Sequence, residues 1–431
     1  MARKVSATKK PAALKKAEAK SDAPKKAAPK KTAAKADAPK KSAVGKPAQT
    51  PTPAPQTKAP ALTVGIFRSA VMALLPVIKA AESWASKFSG LTLRGDSISG
   101  TSGLMTVIRK LPISVTEAVT IEGAALLNYL TTIKDEDAEV RLTVRRGGMD
   151  LEIPDVGASA TFGEMSGVIV PEFDADKIAW CPIADVTTWL TALFNCSLTC
   201  GKATMGMVST LSSVSLDLKG RAYSTDQRRV SRYDAGQGLG EMVILPVEII
   251  RHLNKRVGGS LDFTLLGAVA GDLMQSRRVA FRLNGGDEYL IAALIPGPFF
   301  DCENILARRE KQLGDDEIII CDKFREALKR QAKAQSSSIA AEEASVVVEL
   351  KDNVAIIKAG TTASTFRDRI TLASSVKEPV TFAINPLMLA EIKCNSLKVL
   401  IERDADGRIA SSAVLFAGKG YRILVAGYSQ C

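Results

Sequence analysis

The feature that most constrains this chain is a pattern that occurs three times in one order: a strand, a helix, then a hairpin. In the first copy Val119–Ile121 leads into Leu126-Leu127-x-x-Leu130, followed by strands at Val140–Val144 and Met149–Ile153 around a Gly147-Gly148 turn. In the second, Met242–Leu245 leads into Ile249-Ile250-x-x-Leu253, then Leu261–Leu265, a Gly267–Gly271 loop and Arg278–Leu283. In the third, Val380–Ile384 leads into Met388-Leu389-x-x-Ile392, then Val399–Ile401, an Asp406-Gly407 turn and Ser412–Ala417. Apolar residues at i, i+1 and i+4 make one helix face, and the flanking runs alternate at period two. Gly-Gly and Asp-Gly supply the positive φ that tight hairpins need.

A further helix is expected ahead of each copy: Phe67–Lys79, with Pro76 near its end, Ile183–Cys196, and Asp322–Gln335. Strand-like segments follow these at Gly90–Gly95, Val214–Leu218 and Ser345–Leu350. The pattern predicts an α+β fold of three repeated domains at 62–172, 173–306 and 307–431. Each has two helices packed on antiparallel sheet.

Residues 1–61 are a different physical object. Within 1–60, fifteen Lys and Arg3 stand against Glu18, Asp22 and Asp37, a net of +13. Nine of the nineteen prolines lie there and no aromatic residue does. A Lys/Ala/Pro-rich segment of this kind cannot bury enough apolar area to offset chain entropy, so disorder is expected. Lysine at this density reads as a sequence-independent phosphate binder acting by counterion release. The rest of the chain holds 42 of the 58 basic and 43 of the 46 acidic groups, a net near zero.

Several function classes are disfavoured. No apolar run approaches the roughly 18–20 residues that span a bilayer; Tyr289–Phe300 comes nearest, interrupted by Pro296 and Pro298. The first residues carry no apolar core of a secretory signal. Seven scattered cysteines (181, 196, 200, 302, 321, 394, 431) read as reduced thiols of a cytosolic compartment. His252 is the single histidine, so Ser-His, Cys-His and multi-His zinc chemistry would all have to route through it. On its basic helix it reads as a surface residue.

Charge inside the body is segregated. The helix Leu245–Val257 carries Arg251, Lys255 and Arg256 against Glu248, and Asp322–Gln335 carries Lys323, Arg325, Lys329, Arg330 and Lys333. The first unit offers Arg68, Lys79, Lys87 and Lys134. An ordinary solvated helix face and a phosphate-facing surface both fit.

Taken with these features, Arg221-Ala-Tyr-Ser-Thr225-Asp226-Gln227-Arg228-Arg229-Val230 resembles a segment of the bacterial-type DNA sliding clamp, the beta subunit of DNA polymerase III. In that family Thr-Asp-Gly-His-Arg-Leu follows an Arg-led strand; here Gln227 and Arg228 replace Gly and His. Pro298-Phe299-Phe300-Asp301 is placed like the family's link into its third domain. The similarity covers 62–431 and is divergent, as in a viral or otherwise remote relative.

The resemblance implies a head-to-tail homodimer forming a ring around double-stranded DNA, with helices lining the hole. Such a ring is a non-catalytic processivity factor that tethers a DNA polymerase, is opened by a separate clamp loader and takes no cofactor. It would work in the cytoplasm, at the nucleoid or in a viral replication compartment. DNA-facing residues would be Arg68, Lys79, Lys134, Arg251, Lys255, Arg256, Lys323, Arg325, Lys329, Arg330 and Lys333. Partner peptides would dock at Leu211, Thr225, Arg229, Val230, Leu306, Leu424, Val425 and Tyr428. Two departures stand out: the terminus Ala426-Gly427-Tyr428-Ser429-Gln430-Cys431, and a polar Gln331-Ala-Lys-Ala-Gln335 where the family has apolar subunit contacts. The competing reading is a histone-like DNA-condensing protein acting through its basic tail.

Other signals carry less. Gly236-Gln-Gly238-Leu-Gly240 precedes a strand rather than opening a helix, unlike a dinucleotide loop. Cys196-x-x-x-Cys200 has no second ligand pair, and the sequence has no phosphate-loop motif. Asp135–Asp137 and Asp315–Glu317 read as solvated acidic loops.

Overall fold

The computed structural model describes residues 61–82, 90–166, 173–201, 209–267, 277–312, 317–336, 343–361, 364–392, 394–403 and 409–427, all within one unit, Ala59–Cys431. The basic segment 1–60, Lys87, most of the Gly267–Gly271 loop, Asp315-Asp316, the Asp406-Gly407 turn and Tyr428 lie outside the described residues.

The first repeat comprises α1 (Val64–Glu82), β1 (Gly90–Thr101), β2 (Met105–Glu122), α2 (Gly123–Thr132), β3 (Arg141–Arg145), β4 (Gly148–Ile153) and β5 (Ala158–Gly163). The second has β6 (Cys181–Pro182), α3 (Val186–Ser197), β7 (Ser213–Leu216), β8 (Arg221–Thr225), β9 (Arg229–Asp234) and β10 (Val243–Pro246). It continues with α4 (Val247–Arg256), β11 (Leu261–Leu266), β12 (Arg278–Leu283) and β13 (Glu288–Ala293). A linking helix, α5 (Cys302–Gln312), leads into the third repeat: β14 (Ile318–Ile319), α6 (Asp322–Gln335), β15 (Val346–Lys351), β16 (Val354–Gly360), β17 (Thr365–Thr371) and β18 (Val380–Ile384). It ends with α7 (Pro386–Ala390), β19 (Ser396–Arg403), β20 (Ile409–Gly418) and β21 (Tyr421–Ala426).

The expected helices form, with shifted ends. α1 runs three residues beyond Lys79 despite Pro76. A proline inside a helix costs on the order of 3 kcal/mol. Burying Val77 and Ile78 beyond it returns about 1.5–3 kcal/mol each. α3 starts at Val186 rather than Ile183 because Asp185 caps it, its carboxylate accepting from the Thr188 amide at 2.9 Å. The third hairpin's helix is one short turn, capped by Asn385, and Ile392 lies beyond its end.

Every sheet is antiparallel, and two of them cross between repeats. The six-stranded sheet runs β1-β2-β13-β12-β11-β6, joining the first repeat to the second through β2 and β13, with Glu288 opposite Arg109 and Ala292 opposite Met105. The eight-stranded sheet runs β10-β7-β8-β9-β21-β20-β19-β14, joining second to third through β9 and β21. Two smaller sheets close the ends, β3-β4-β5 and β17-β16-β15-β18.

The Gly236–Gly240 segment is a packing loop. A Cβ on Gly238 would sit 2.4 Å from the Asp217 carbonyl oxygen, and one on Gly220 would sit 2.3 Å from the Gln237 nitrogen. Only glycine allows these backbones to touch. The loop lets the Gln237 carbonyl accept from Nε1 of the buried Trp189 at 3.0 Å.

Candidate nucleic-acid interface

The helices pack in pairs, α1 with α2, α3 with α4 and α6 with α7. Two ion clusters tie these helices to the sheets at the joints, the first buried and the second reaching the exposed Glu391. At the first joint, Glu288 on β13 accepts from His252 Nε2 at 3.0 Å and from Arg256 Nη2 at 2.8 Å, both on α4. Arg109 on β2 approaches the same carboxylate at 3.7 Å and also donates to the Ser69 carbonyl of α1 at 3.4 Å. Burial alone would raise the Glu288 carboxyl, but the bonds from His252 and Arg256 hold it below the ordinary glutamate value. At the second joint, Arg229 on β9 donates to Asp226 at 2.8 Å and to Glu391, just after α7, at 3.0 Å. His252 is therefore not the surface residue the sequence implied. It is buried, with its Nε2 against the carboxylate of the buried Glu288.

The basic residues divide into two groups. Lys79, Lys134, Arg251, Lys255, Lys323, Lys329 and Lys333 are exposed. Arg330 is exposed but paired with Asp368 of β17 at 2.9 Å, a surface pair worth at most about 1 kcal/mol. The other three are turned into the protein. Arg68 pairs with Glu136, Arg256 with Glu288, and Arg325 with Asp322 and the Cys394 carbonyl. The available cations thus come from α4, α6 and the ends of α1 and α2.

The residues singled out as a peptide pocket fall on both faces of the eight-stranded sheet. Thr225 lies opposite Val230 across β8 and β9, and Val230 opposite Leu424 across β9 and β21, so all three share one face. Val230, Leu306 and Leu424 form one apolar cluster there, under α5. Glu303 on α5 ties it down, accepting from the Tyr223 hydroxyl at 2.9 Å and from Arg221 and Arg232 at 3.1 and 3.2 Å. Arg229 and Val425 alternate to the opposite, helix-bearing face. Leu211 is half-buried in the turn before β7, beside Gly201.

The sequence reading missed Phe300 and Ile305, two exposed apolar side chains leading into and along α5. The available signal was the Pro298-Phe299-Phe300 run, which was used only as a domain link.

On the helix side of the second joint, Asn195, Leu198, Tyr233 and Ile392 line a cleft of about 120 Å³. The Cys196 and Cys200 sulfurs are occupied within the protein, by the Ser231 hydroxyl and the Ser213 carbonyl. Burial pushes the Cys196 thiol up to about 11. No cluster of three metal-ligating side chains occurs among the described residues, and no described helix is long and apolar enough to cross a membrane.

No protein-family model matches the sequence, and no curated protein matches it. Solved structures do. The DNA polymerase III subunit beta of Pseudomonas aeruginosa aligns over 85% of this chain and 99% of its own, with a TM-score of 0.67 and 15% identity. The DNA polymerase sliding clamp of Caulobacter crescentus aligns over 86% and 99%, with a TM-score of 0.67 and 15% identity. The beta subunit of the Streptococcus pyogenes DNA polymerase gives the same coverage and TM-score at 14% identity. With three repeats, sheets shared across their joints and helices packed in pairs, this divergent chain has the fold of the bacterial DNA polymerase III beta sliding clamps.

Proposed function

We propose that the chain is a processivity clamp: two copies close head to tail around duplex DNA and hold a DNA polymerase to it. One observation carries this reading. Both internal joints are made the same way, the third strand of a repeat's last hairpin pairing with the β2- or β9-type strand of the repeat before it. The two halves of a third such joint stand at the ends of the body. β5 is the edge of its three-stranded sheet and β17 the edge of its four-stranded sheet. An exposed edge calls for pairing or cover, and a heterologous contact repeated between two copies closes when the rotation allows.

Exposed Lys79, Lys134, Arg251, Lys255, Lys323, Lys329 and Lys333 supply phosphate contacts without base-reading groups, as a slider requires. Processivity then comes from topology and effective concentration, with no catalytic step. A polymerase peptide would dock on the α5 side of the second joint against exposed Phe300 and Ile305, which the buried Thr225, Val230, Leu306 and Leu424 support from beneath. Leu211, Arg229, Val425 and Tyr428 belong to this reading only as flanking or supporting positions. The separate loader and a cytoplasmic replication site follow from the same role.

Two measurements test it. Protein loaded on closed circular duplex should be retained at high salt and released within one linearisation step. Equal retention on linear and circular DNA would favour instead a histone-like condensing role for the segment 1–60. Replacing Phe300 and Ile305 by serine should lower polymerase stimulation about tenfold or more, as loss of buried apolar anchors does, while leaving retention on circles unchanged. Unchanged stimulation would remove the docking assignment.

A further inference from the structure

The two free edges, β5 and β17, carry matching patterns of exposure. On β5, Ala158, Ala160 and Phe162 are half-buried, while Ser159 and Thr161 are exposed. Phe162 packs edge-on against Tyr129 of α2, so the half-buried set faces the helices. On β17, Phe366 and Asp368 are half-buried, while Thr365 and Arg367 are exposed. Asp368 accepts from Gln331 of α6 at 2.6 Å, which places that half-buried set on the helix side as well. A slip of one residue turns every side chain of a strand to the other face. An antiparallel pairing of these two edges is therefore restricted to every second register.

The repeats select one of the remaining registers. The hairpins β1–β2, β8–β9 and β16–β17 close on Thr101 and Thr106, on Thr225 and Val230, and on Gly360 and Thr365, each pair five positions apart. Three residues beyond these closing residues stand Arg109, Tyr233 and Asp368. At both internal joints this residue lies opposite the first residue of the other repeat's last strand: Arg109 opposite Glu288, and Tyr233 opposite Tyr421. In the first repeat the last strand begins at Ala158. The same rule sets Ala158 opposite Asp368, Ser159 opposite Arg367, Ala160 opposite Phe366 and Thr161 opposite Thr365. This register also meets the restriction set by exposure. Half-buried residues face half-buried ones, with the small Ala160 against the ring of Phe366.

Resting on the ring reading above, we propose that β5 of one copy pairs with β17 of a second copy in this register, with Ser159 and Thr161 of one against Arg367 and Thr365 of the other on the outer face. The resulting joint differs chemically from the two inside the chain. On the outer face the first joint carries an apolar cluster with Ile108, Tyr289 and Ile291, and the second one with Val230, Leu306 and Leu424. The copy–copy joint has hydroxyls and an arginine there instead. On the helix side the first joint is locked by the Arg109–Glu288 ion pair and the second by the Tyr233–Tyr421 stack, with ring centroids 5.8 Å apart. Ala158 offers Asp368 no such lock. Backbone pairing and the Ala160–Phe366 contact hold this joint.

The test is disulfide cross-linking of the full chain under mild oxidation with oxidised glutathione, alongside sedimentation equilibrium. The substituted positions are exposed, so the variants keep the fold of one chain. Residues directly opposite in an antiparallel pair lie roughly 4.5–5.5 Å apart, within disulfide reach, and those displaced by two lie beyond it. The double variants Ser159→Cys with Arg367→Cys, and Thr161→Cys with Thr365→Cys, should each convert most of the protein to a covalent dimer. The displaced pairs, Ser159→Cys with Thr365→Cys and Thr161→Cys with Arg367→Cys, should give no more dimer than the single variants, which report the background from the exposed native Cys181. A ring sealed at both joints after loading should stay on circular duplex through denaturing detergent and leave on reduction. Cross-linking of a displaced pair in place of the opposite ones would overturn the register while leaving the ring reading intact. A protein that dimerises by sedimentation yet cross-links in none of the four pairs would overturn the pairing of β5 with β17. A wild-type chain that never dimerises at tens of micromolar would overturn the ring reading, and this joint with it.

Discussion

Replacing Glu288 by alanine is expected to destabilise the body by about 3–5 kcal/mol, the usual cost of removing one partner from a buried ion cluster. The carboxylate is buried and is shared by His252 and Arg256 of α4 and by Arg109 of β2, so its loss strands charge on both sides of the first joint. Arg109 would suffer most. Burial already lowers its pKa, and its Nε has no hydrogen-bond partner among the described residues. The same group sets an acid limit. Its folded pKa lies below the unfolded one, so the stabilisation it confers is complete above the ordinary value of 4.5 and is lost as pH falls through the lower, folded value. Chemical denaturation at neutral pH and in acid checks both. The Glu288→Ala protein should lose stability at neutral pH and show a shallower decline than wild type on acidification below 4.5. A variant as stable as wild type would show that the cluster does not hold the joint.

Deleting residues 1–60 is expected to flatten the salt dependence of binding to linear duplex DNA. That segment carries +13, whereas the rest of the chain is nearly neutral. If about half of its sixteen basic groups neutralise phosphates, the log–log slope should be roughly −7 for the full chain. Without the segment, the slope should fall to what the exposed helix lysines and Arg251 supply. Retention of loaded protein on closed circles should survive, because entrapment needs no net attraction. Binding isotherms between about 50 and 200 mM salt, a range over which several phosphate contacts change affinity by orders of magnitude, measure the effect. An unchanged slope would assign open-DNA affinity to α4 and α6 instead.

Local periodicity made the repeats legible. The Leu126, Leu130 and Ile249, Ile250, Leu253 faces are buried as their spacing implied, and strands such as Arg278–Leu283 and Val380–Ile384 were readable to the residue. What could not be read was pairing at long range. The β2–β13 and β9–β21 joints bring together segments far apart in sequence, and no local pattern marks them. For the same reason His252 read as a surface residue and Arg256 and Arg325 as free cations, since their partners Glu288 and Cys394 lie 32 to 69 residues away. The division of the peptide pocket was legible in principle. Arg229 and Val230 are neighbours in a strand, and alternation places them on opposite faces. The family resemblance grouped them together regardless.

The most direct test of the account is electron microscopy of the purified full-length protein at tens of micromolar before dilution onto the grid. Edges β5 and β17 of two copies, joined in the manner of the two internal joints, should give closed rings of two chains with six similar lobes. Single open arcs of three lobes, or filaments in which copies add head to tail without closing, would contradict it.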